Sequence, residues 1–182
     1  MVNTELVQDF VNSRELRPAV EDLGTPKELS AWLESHGLLE PGARVTNSDL
    51  AEAARVREAL RDVLAAKVGL EVDVDTATAE IDAAARRAGL ELRFDPTCPR
   101  VEPTIGGVRG AIGRILVEVH DEMVDGIWER MKVCKADDCR WAFLDTSKNK
   151  SRAWCSMESC GNRAKVHAYR QRHQHYPAHP HH

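Results

Sequence analysis

Apolar residues recur at helical spacing through most of the first 133 residues. Near the start, four of them lie on one face of a predicted amphipathic helix: Leu6, Val7, Phe10 and Val11. The stretch TPKELSAWLESHG then carries its own boundaries. Thr25 suits an N-cap, Pro26 suits the first helical position, Glu28 completes a capping box and Gly37 ends the segment. These signals predict a helix from about Pro26 to His36.

Two further helices follow from the same spacing. The first begins at TNSDL with Asn47 or Ser48 as its cap and stops at Gly69. Its arginines alternate with acids, which predicts a solvated, ion-paired face: Arg55, Arg57 and Arg61 among Glu52, Glu58 and Asp62. Asp75 can cap the next helix, through TATAEIDAAARRAG, which ends at Gly89.

The spacing of apolar residues then changes from every three or four residues to every second residue. LELRFD alternates apolar and polar residues, and PRVEPT can return beside it, so a small β-hairpin is expected. After it, apolar residues three or four apart predict a long central helix: Val108, Ile112, Ile115, Val119, Met123 and Ile127. His120 on that helix is interpreted as a packed or hydrogen-bonded histidine, and Cys98 as a packing or surface residue.

Length and composition limit the protein class. A chain of 182 residues can form one full core plus a small appendage. Only nine residues are aromatic, so the core must be built mainly from aliphatic side chains. The start MVNTELVQDFVNS lacks the apolar region of a signal peptide, and no stretch approaches a membrane span, so a cytoplasmic location is expected.

Charge divides the chain unevenly. From residue 134 onward nine Lys and Arg stand against four Asp and Glu, whereas the preceding 133 residues carry 16 against 25. The two parts therefore have different partners. The last residues, 175–182, are rich in histidine and are most simply a disordered tail, with metal sensing as the alternative.

Four of the five cysteines form two Cys-x4-Cys pairs, Cys134 with Cys139 and Cys155 with Cys160. Two thiolate pairs can meet on one tetrahedral ion, which favours zinc, or more rarely iron. A reducing compartment disfavours disulfides, and CKADDC is more polar than the usual shell of an iron–sulfur cluster. Four cysteines also close the coordination sphere, so the predicted zinc is structural rather than catalytic.

The elements around the cysteines predict a treble-clef-like zinc finger. RWAFLD and SRAWC are interpreted as two short strands joined by the turn TSKNK, and GNRAKVHAYRQRHQ as a helix that begins at the metal. Trp141, Phe143 and Trp154 are assigned to its minimal core, with stacking on nucleic-acid bases as an alternative role for one of them.

Basic residues on the hairpin and on the last helix form a footprint suited to phosphates. Asn162 or Arg163 at the helix start can reach base edges, although Asn162 can also act only as a cap. A solvated surface, or one that packs on acidic protein, is the alternative. The predicted nucleic-acid-binding residues are Lys148, Lys150, Arg152, Asn162, Arg163, Lys165, Arg170 and Arg172.

These residues carry a resemblance. SRAWCSMESCGNRAKVHAYRQR, preceded by CKADDCRWAFLDTSKNK, closely resembles the signature of the CGNR zinc finger family of bacterial proteins, named here for Cys160, Gly161, Asn162 and Arg163. Upstream, DFVNS, ELSAWLESHGL and ARVREALRDVL resemble its usual companion, the ABATE domain, regarded as a stress-induced transcription regulator. The resemblance implies zinc at the four cysteines, DNA binding by the finger and a regulatory N-terminal domain. Ser13 stands where the family pattern has threonine.

The sequence thus predicts an α+β protein. A mostly helical N-terminal domain with a small β-hairpin, residues 1–130, precedes a zinc finger, residues 131–174, and a His-rich tail, residues 175–182. The expected function is DNA-binding transcription regulation, with a sensor or dimerisation N-terminal domain that binds a small-molecule effector or pairs as a homodimer. The alternative is a zinc-stabilised protein-interaction module. No catalytic motif is present, so no enzyme activity is expected.

Overall fold

Helices and short hairpins alternate along the chain in a computed structural model that describes residues 4–96 and 98–174. The helices in these ranges are α1 Thr4–Asn12, α2 Pro26–Ser35, α3 Asn47–Lys67, α4 Val74–Ala88, α5 Gly107–Val124 and α6 Asn162–Gln174, the last preceded by a π-helical turn, Met157–Gly161. The strands form three antiparallel hairpins: β1 Arg14–Leu16 with β2 Ala19–Glu21, β3 Leu90–Arg93 with β4 Arg100–Pro103, and β5 Met131–Val133 with β6 Ala142–Leu144. The predicted α+β class is confirmed.

The core lies where α1, α3 and α5 meet. Its largest fully buried apolar side chains include Phe10 from α1, Leu60 and Leu64 from α3, and Ile112 and Ile115 from α5. The apolar spacing of each helix therefore faces the same interior, as amphipathic helices require.

Helix α5 is the central element that its spacing predicted, and it packs closely on α4 and β4. A Cβ atom at Gly113 would lie 2.7 Å from Ala88 Cβ and 2.9 Å from Pro103 Cβ, so only glycine permits this approach. The helix ends at Val124, earlier than the spacing suggested, and Gly126 follows with a φ of 73°. Met123 is consequently half exposed, and Ile127 lies beyond the helix.

Two helix starts differ from the predicted caps by one or two residues. Thr46, rather than Asn47 or Ser48, caps α3: its hydroxyl accepts from the Asp49 backbone N–H, and the Asp49 carboxylate accepts from the Thr46 N–H at 2.9 Å. Asp73, rather than Asp75, caps α4. Thr25 caps α2 as predicted, with Pro26 at its first position.

Two of the three arginines of α3 correct the prediction of a solvated face, whereas Arg55 is exposed and pairs with Glu80. Arg57 and Arg61 are 2% and 3% exposed. Arg57 donates to both carboxylate oxygens of Glu21, at 2.6 and 2.7 Å, and Arg61 donates to the carbonyl oxygens of Val11 and Arg14. Both guanidinium groups thus hold the segment after α1 against α3, including the β1–β2 hairpin that the sequence did not predict.

The C-terminal hairpin shares the core of the helices. Met131, Val133 and Ala142 belong to the same buried cluster as the residues of α1, α3 and α5. The side-chain amide of Asn12 also pairs with the backbone of Ala142, donating to its C=O at 2.9 Å and accepting from its N–H at 2.7 Å. The cysteine-rich region is therefore fixed to the helical part by apolar packing and by hydrogen bonds.

No helix among residues 4–96 and 98–174 is long and apolar enough to cross a bilayer.

Candidate metal centre and its basic surface

The four paired cysteines converge on one point. The sulfur atoms of Cys134, Cys139, Cys155 and Cys160 all lie within 4.8 Å of one another. Two of the Sγ–Sγ distances, Cys139 to Cys155 and Cys155 to Cys160, are 3.7 Å. Four soft thiolate donors around one centre form a site that can hold a metal ion.

The first pair lies in a turn enclosed by the β5–β6 hairpin. Cys134 follows β5 directly, and its N–H donates to the carbonyl of Trp141 at 2.9 Å, which continues the ladder. The N–H groups of Cys139 and Arg140 both donate to the carbonyl of Ala136, and Arg140 has a φ of 49°. This tight turn folds Cys139 back toward Cys134.

The second pair lies at the start of the last helix. The hydroxyl of Ser156 accepts from the Ser159 N–H and begins the π-helical turn that contains Cys160. Cys155 immediately precedes this cap. The prediction that the last helix begins at the metal site agrees with this arrangement, and a short hairpin followed by this helix agrees with the predicted finger.

The strands of the finger are not the two that the sequence suggested. Within the described residues SRAWC forms no strand, and β6 pairs instead with β5, which the sequence analysis left unassigned. The segment between β6 and Cys155 is held by Asp145, which is fully buried and accepts from Lys132 Nζ at 2.7 Å and from the N–H groups of Ser147 and Arg152 at 2.9 Å. These bonds replace the ladder that a second strand would make.

Although burial raises it, the pKa of Asp145 is held well below its ordinary value by these hydrogen bonds. Asp145 and Lys132 therefore form a buried ion pair that shapes the loop. Sequence reasoning missed both residues, because an aspartate before a polar turn is a common surface feature. The one sequence signal for Asp145 is its position directly after the apolar run WAFL.

Metal binding by the sulfur cluster is coupled to the loss of thiol protons. A hydrogen bond from the Cys139 thiol lowers the pKa of Cys134 to about 5, and the same contact raises the pKa of Cys139. Burial raises the pKa of Cys155 to about 11. Four thiolates this close repel one another in the absence of a metal, so metal binding must release protons.

Arg163 contacts the metal centre directly. Its Nη2 lies 3.2 Å from the sulfur of Cys160 and 3.3 Å from Asp138 Oδ1. Asp138 in turn accepts from Arg17, in the β1–β2 turn, at 2.5 Å. The guanidinium group thus contacts a cysteine of the cluster and, through Asp138, links the finger to the N-terminal part.

Three other predicted nucleic-acid-binding residues also make intramolecular contacts. Arg152 donates to the carbonyl of Cys155 at 2.7 Å and lies over the ring of Phe143. Lys150 pairs with Glu129. Asn162 donates to the carbonyl of Glu158, in the π-helical turn, at 3.1 Å.

The remaining four predicted residues are exposed on the finger. Lys148 lies in the loop after β6, and the others lie on α6: Lys165, Arg170 and Arg172. Arg172 bonds only to the carbonyl of Ala168 in its own helix. Within the described part of the chain, none of these four forms a salt bridge. Among the elements that the structure describes, α6 contacts mainly the π-helical turn.

A groove of about 870 Å³ runs between the first cysteine turn and α6. Lys135, Asp138, Trp154 and Arg170 line it, together with Arg17 from the N-terminal part. Trp154 and Trp141 are half-buried and Phe143 is 6% exposed, so Phe143 is the most deeply buried of the three predicted core aromatics.

Other residues noted in the sequence have structural surroundings. Ser13 is buried, donates to the carbonyl of Phe10 and accepts from Arg57, so its hydroxyl serves the fold. Cys98 is exposed. His120 is exposed and lies 2.8 Å from the carboxylate of Asp121. The His-rich tail, residues 175–182, lies outside the described residues.

Two family models match the chain, and together they cover most of it. The ABATE model, described as "putative stress-induced transcription regulator", matches residues 4–120. The CGNR zinc finger model matches residues 130–173. No curated protein sequence matches the chain.

Proposed function

The chain belongs to the ABATE family and carries a CGNR zinc finger, and we propose that it is a transcription regulator that binds DNA through the finger. The four cysteines hold one structural zinc ion, because tetrahedral sulfur coordination suits zinc. The protein acts in the bacterial cytoplasm by binding rather than by catalysis. The helical N-terminal part serves as a sensor of a small molecule or as a dimerisation unit.

The observation that carries the proposal is the set of exposed cations on α6. Lys165, Arg170 and Arg172 stand on a helix that begins at the metal centre and packs little on the rest of the protein. Such a helix can approach a duplex without steric conflict, and its cations can neutralise phosphates. Zinc contributes by fixing the start of α6, and the four cysteines are the residues that would hold it.

The structure narrows the proposed phosphate contacts. Arg163 and Arg152 contact Cys160 and the carbonyl of Cys155, so changing them would disturb the finger itself. A test of DNA binding therefore uses the triple variant Lys165→Ala, Arg170→Ala and Arg172→Ala. Its matched control removes three exposed cations from the N-terminal part: Lys27, Arg44 and Arg86.

The measurement is the affinity of the zinc-loaded protein for random duplex DNA across a salt series. The logarithm of the association constant should fall linearly with the logarithm of salt concentration, with a slope of about −0.9 for each phosphate neutralised. The triple variant should have a slope shallower by about two to three units, while the control keeps the slope of the unmodified protein. Absence of binding at low salt, or equal slopes in both variants, would contradict the proposal.

A second candidate function is a zinc-stabilised protein-interaction module. The mixture of charges in the groove favours it, since Asp137, Asp138 and Glu158 lie among the arginines and would repel phosphate. Under this function the unmodified protein would not bind random DNA at low salt. The groove would instead accept a protein segment that carries both acidic and basic side chains.

A further inference from the structure

The β3–β4 hairpin extends beyond the helices that support it. Helix α5 packs against one end of the hairpin, at Pro103 of β4 and Leu90 of β3. Leu92 on β3 is 57% exposed, and Phe94 just after it is 80% exposed. Within residues 4–96 and 98–174 no strand pairs with the outer edge of β3. An open edge with exposed apolar side chains is a site where another strand can add.

The hydrogen-bond pattern shows which backbone groups that edge presents. The N–H of Thr104 donates to the carbonyl of Gly89 at 3.0 Å, which continues the ladder of Leu90 with Pro103. Because bonded and non-bonded pairs alternate in antiparallel strands, the pairs at Glu91 and Arg93 are the bonded ones. The N–H and C=O groups of Leu90 and Leu92 therefore point away from β4 to the open edge.

The other edge of the hairpin is less suitable for strand addition. By the same alternation, the nitrogens of Val101 and Pro103 on β4 point outward, and proline has no N–H to donate. An added strand would lose a ladder bond at that position. Strand addition is therefore favoured at β3.

Like charges lie directly across the hairpin, although Arg93 also pairs with Glu91 along β3 at 3.1 Å and Arg100 pairs with Asp95 at 2.7 Å. Glu91 lies opposite Glu102, and Arg93 lies opposite Arg100. Like charges directly across an antiparallel pair are destabilising. Along β3 itself the order is Leu90, Glu91, Leu92, Arg93 and Phe94, so the acid and the base lie at equal distances on either side of Leu92.

We propose that β3 pairs with β3 of a second copy of this chain, antiparallel and about a two-fold axis at Leu92. Leu92 would then form a bonded pair with Leu92 of the second copy, as its outward backbone groups require. Glu91 would lie opposite Arg93 of the other copy in both symmetric positions, and Leu90 would lie opposite Phe94. The two hairpins become one four-stranded sheet. In it the Glu91–Glu102 pair of each copy lies beside the Arg93–Arg100 pair of the other copy.

The occupant is a second copy because the strand is complementary to itself in both charge and hydrogen-bond register. A two-fold interface presents the same surface on both sides, so a self-complementary pattern is its signature. The inference goes beyond DNA binding and does not rest on it. The surface of two short strands is small, so the dimer should be weak and depend on concentration.

The test is sedimentation equilibrium of the full chain from low to high micromolar concentration. In the proposed dimer, Glu91→Arg makes arginine face arginine across the two copies on each side of Leu92. Arg93→Glu makes glutamate face glutamate at the same two positions. Each single variant should weaken self-association about tenfold or more, because the affected pair occurs twice in the interface. The double variant with both changes should recover the affinity of the unmodified protein.

An equimolar mixture of the two single variants provides the sharper outcome. One copy then carries arginines where the other carries glutamates, so the mixture should form a heterodimer although neither variant pairs with itself. Loss of folding in the variants would give no such recovery. Asp82→Arg, an equal change of charge at an exposed position of α4, should leave self-association unchanged.

Three results would overturn the proposal. The first is a monomer at every concentration of the unmodified protein. The second is a dimer whose affinity is the same in Glu91→Arg and Arg93→Glu. The third is a mixture that stays monomeric while the unmodified protein dimerises.

Discussion

Burial gives charged side chains different roles at two places in this molecule. The guanidinium group of Arg57 is almost fully buried, yet it is bonded to both oxygens of Glu21 and to Ser13. Glu122 is also fully buried, but neither of its carboxylate oxygens has a hydrogen-bond partner among the described residues. A buried ion with partners holds the fold together, whereas burial without partners disfavours the charged form.

Glu122 makes the stability of the protein depend on pH. Burial raises its pKa to about 7 from an ordinary value of 4.5, and the nearby Glu118 adds to this while Lys67 on α3 opposes it. The folded state therefore binds more protons than the unfolded state between about pH 4.5 and 7. Stability from this group is fully present below pH 4.5 and is lost as the pH rises through 7.

We predict that Glu122→Gln removes the loss of stability that Glu122 causes as the pH rises through 7. The variant should gain roughly 1–3 kcal/mol over the unmodified protein at pH 8, and much less at pH 5, because its amide stays neutral at both. Urea unfolding at the two pH values measures the difference. Glu5→Gln, which removes an exposed carboxyl on α1, is the control and should show no such dependence. An equal effect of Glu122→Gln at both pH values would contradict the assignment.

At the scale of elements, the helix ends are fixed by single side chains. Thr46 and Asp49 form a reciprocal capping box at α3, the long helix that contributes Leu60 and Leu64 to the core. We predict that Thr46→Ala lowers the free energy of unfolding by about 1 kcal/mol, because one backbone N–H loses its acceptor. Ser48→Ala, two residues into the same turn, should change it by less than about 0.5 kcal/mol. Chemical denaturation of the two variants measures both changes in unfolding free energy. Equal changes would contradict the assignment of Thr46 as the cap.

Helices were predictable because their signals are local. The spacing of α1, α3 and α5 and the glycines after α2 and α4 depend only on residues a few positions apart. The sequence therefore places the ends of these helices to within two residues, except for the end of α5, which is three residues before Ile127. The meeting of four cysteines also follows from two repeated spacings. Four cysteines that bind one metal ion must bring their sulfur atoms together, which restricts how the two pairs can be placed.

Strand partners and buried charges depend on contacts that are distant in sequence. The partner of β6 is β5 because the first cysteine turn folds them together. The segment SRAWC, which was predicted to form the second strand, is instead bonded at Arg152 to the side chains of Asp145 and Lys132. Arg57 and Arg61 look like surface residues until Glu21 and the carbonyl of Val11 are brought against them. No periodicity within α3 contains that information.

At the scale of the whole molecule, the finger and the helices are energetically linked. Met131, Val133 and Ala142 lie in the common core, and Lys67 at the end of α3 donates to the carbonyl oxygens of Trp128 and Met131. Asn12 adds two bonds to Ala142. Destabilising the cysteine turns should therefore also lower the stability of the helices.

Metal removal tests this linkage. Chelation of zinc-loaded protein should lower the melting temperature of the helical signal by about 5 °C or more, in one transition, since metal binding stabilises only the folded site. Cys160→Ser should melt like the chelated protein, whereas Cys98→Ser, at an exposed cysteine far from the cluster, should melt like the unmodified one. Circular dichroism at 222 nm follows the helices. If they melt at an unchanged temperature after chelation, the shared core does not transmit the stability of the metal centre, and the finger is an independent unit.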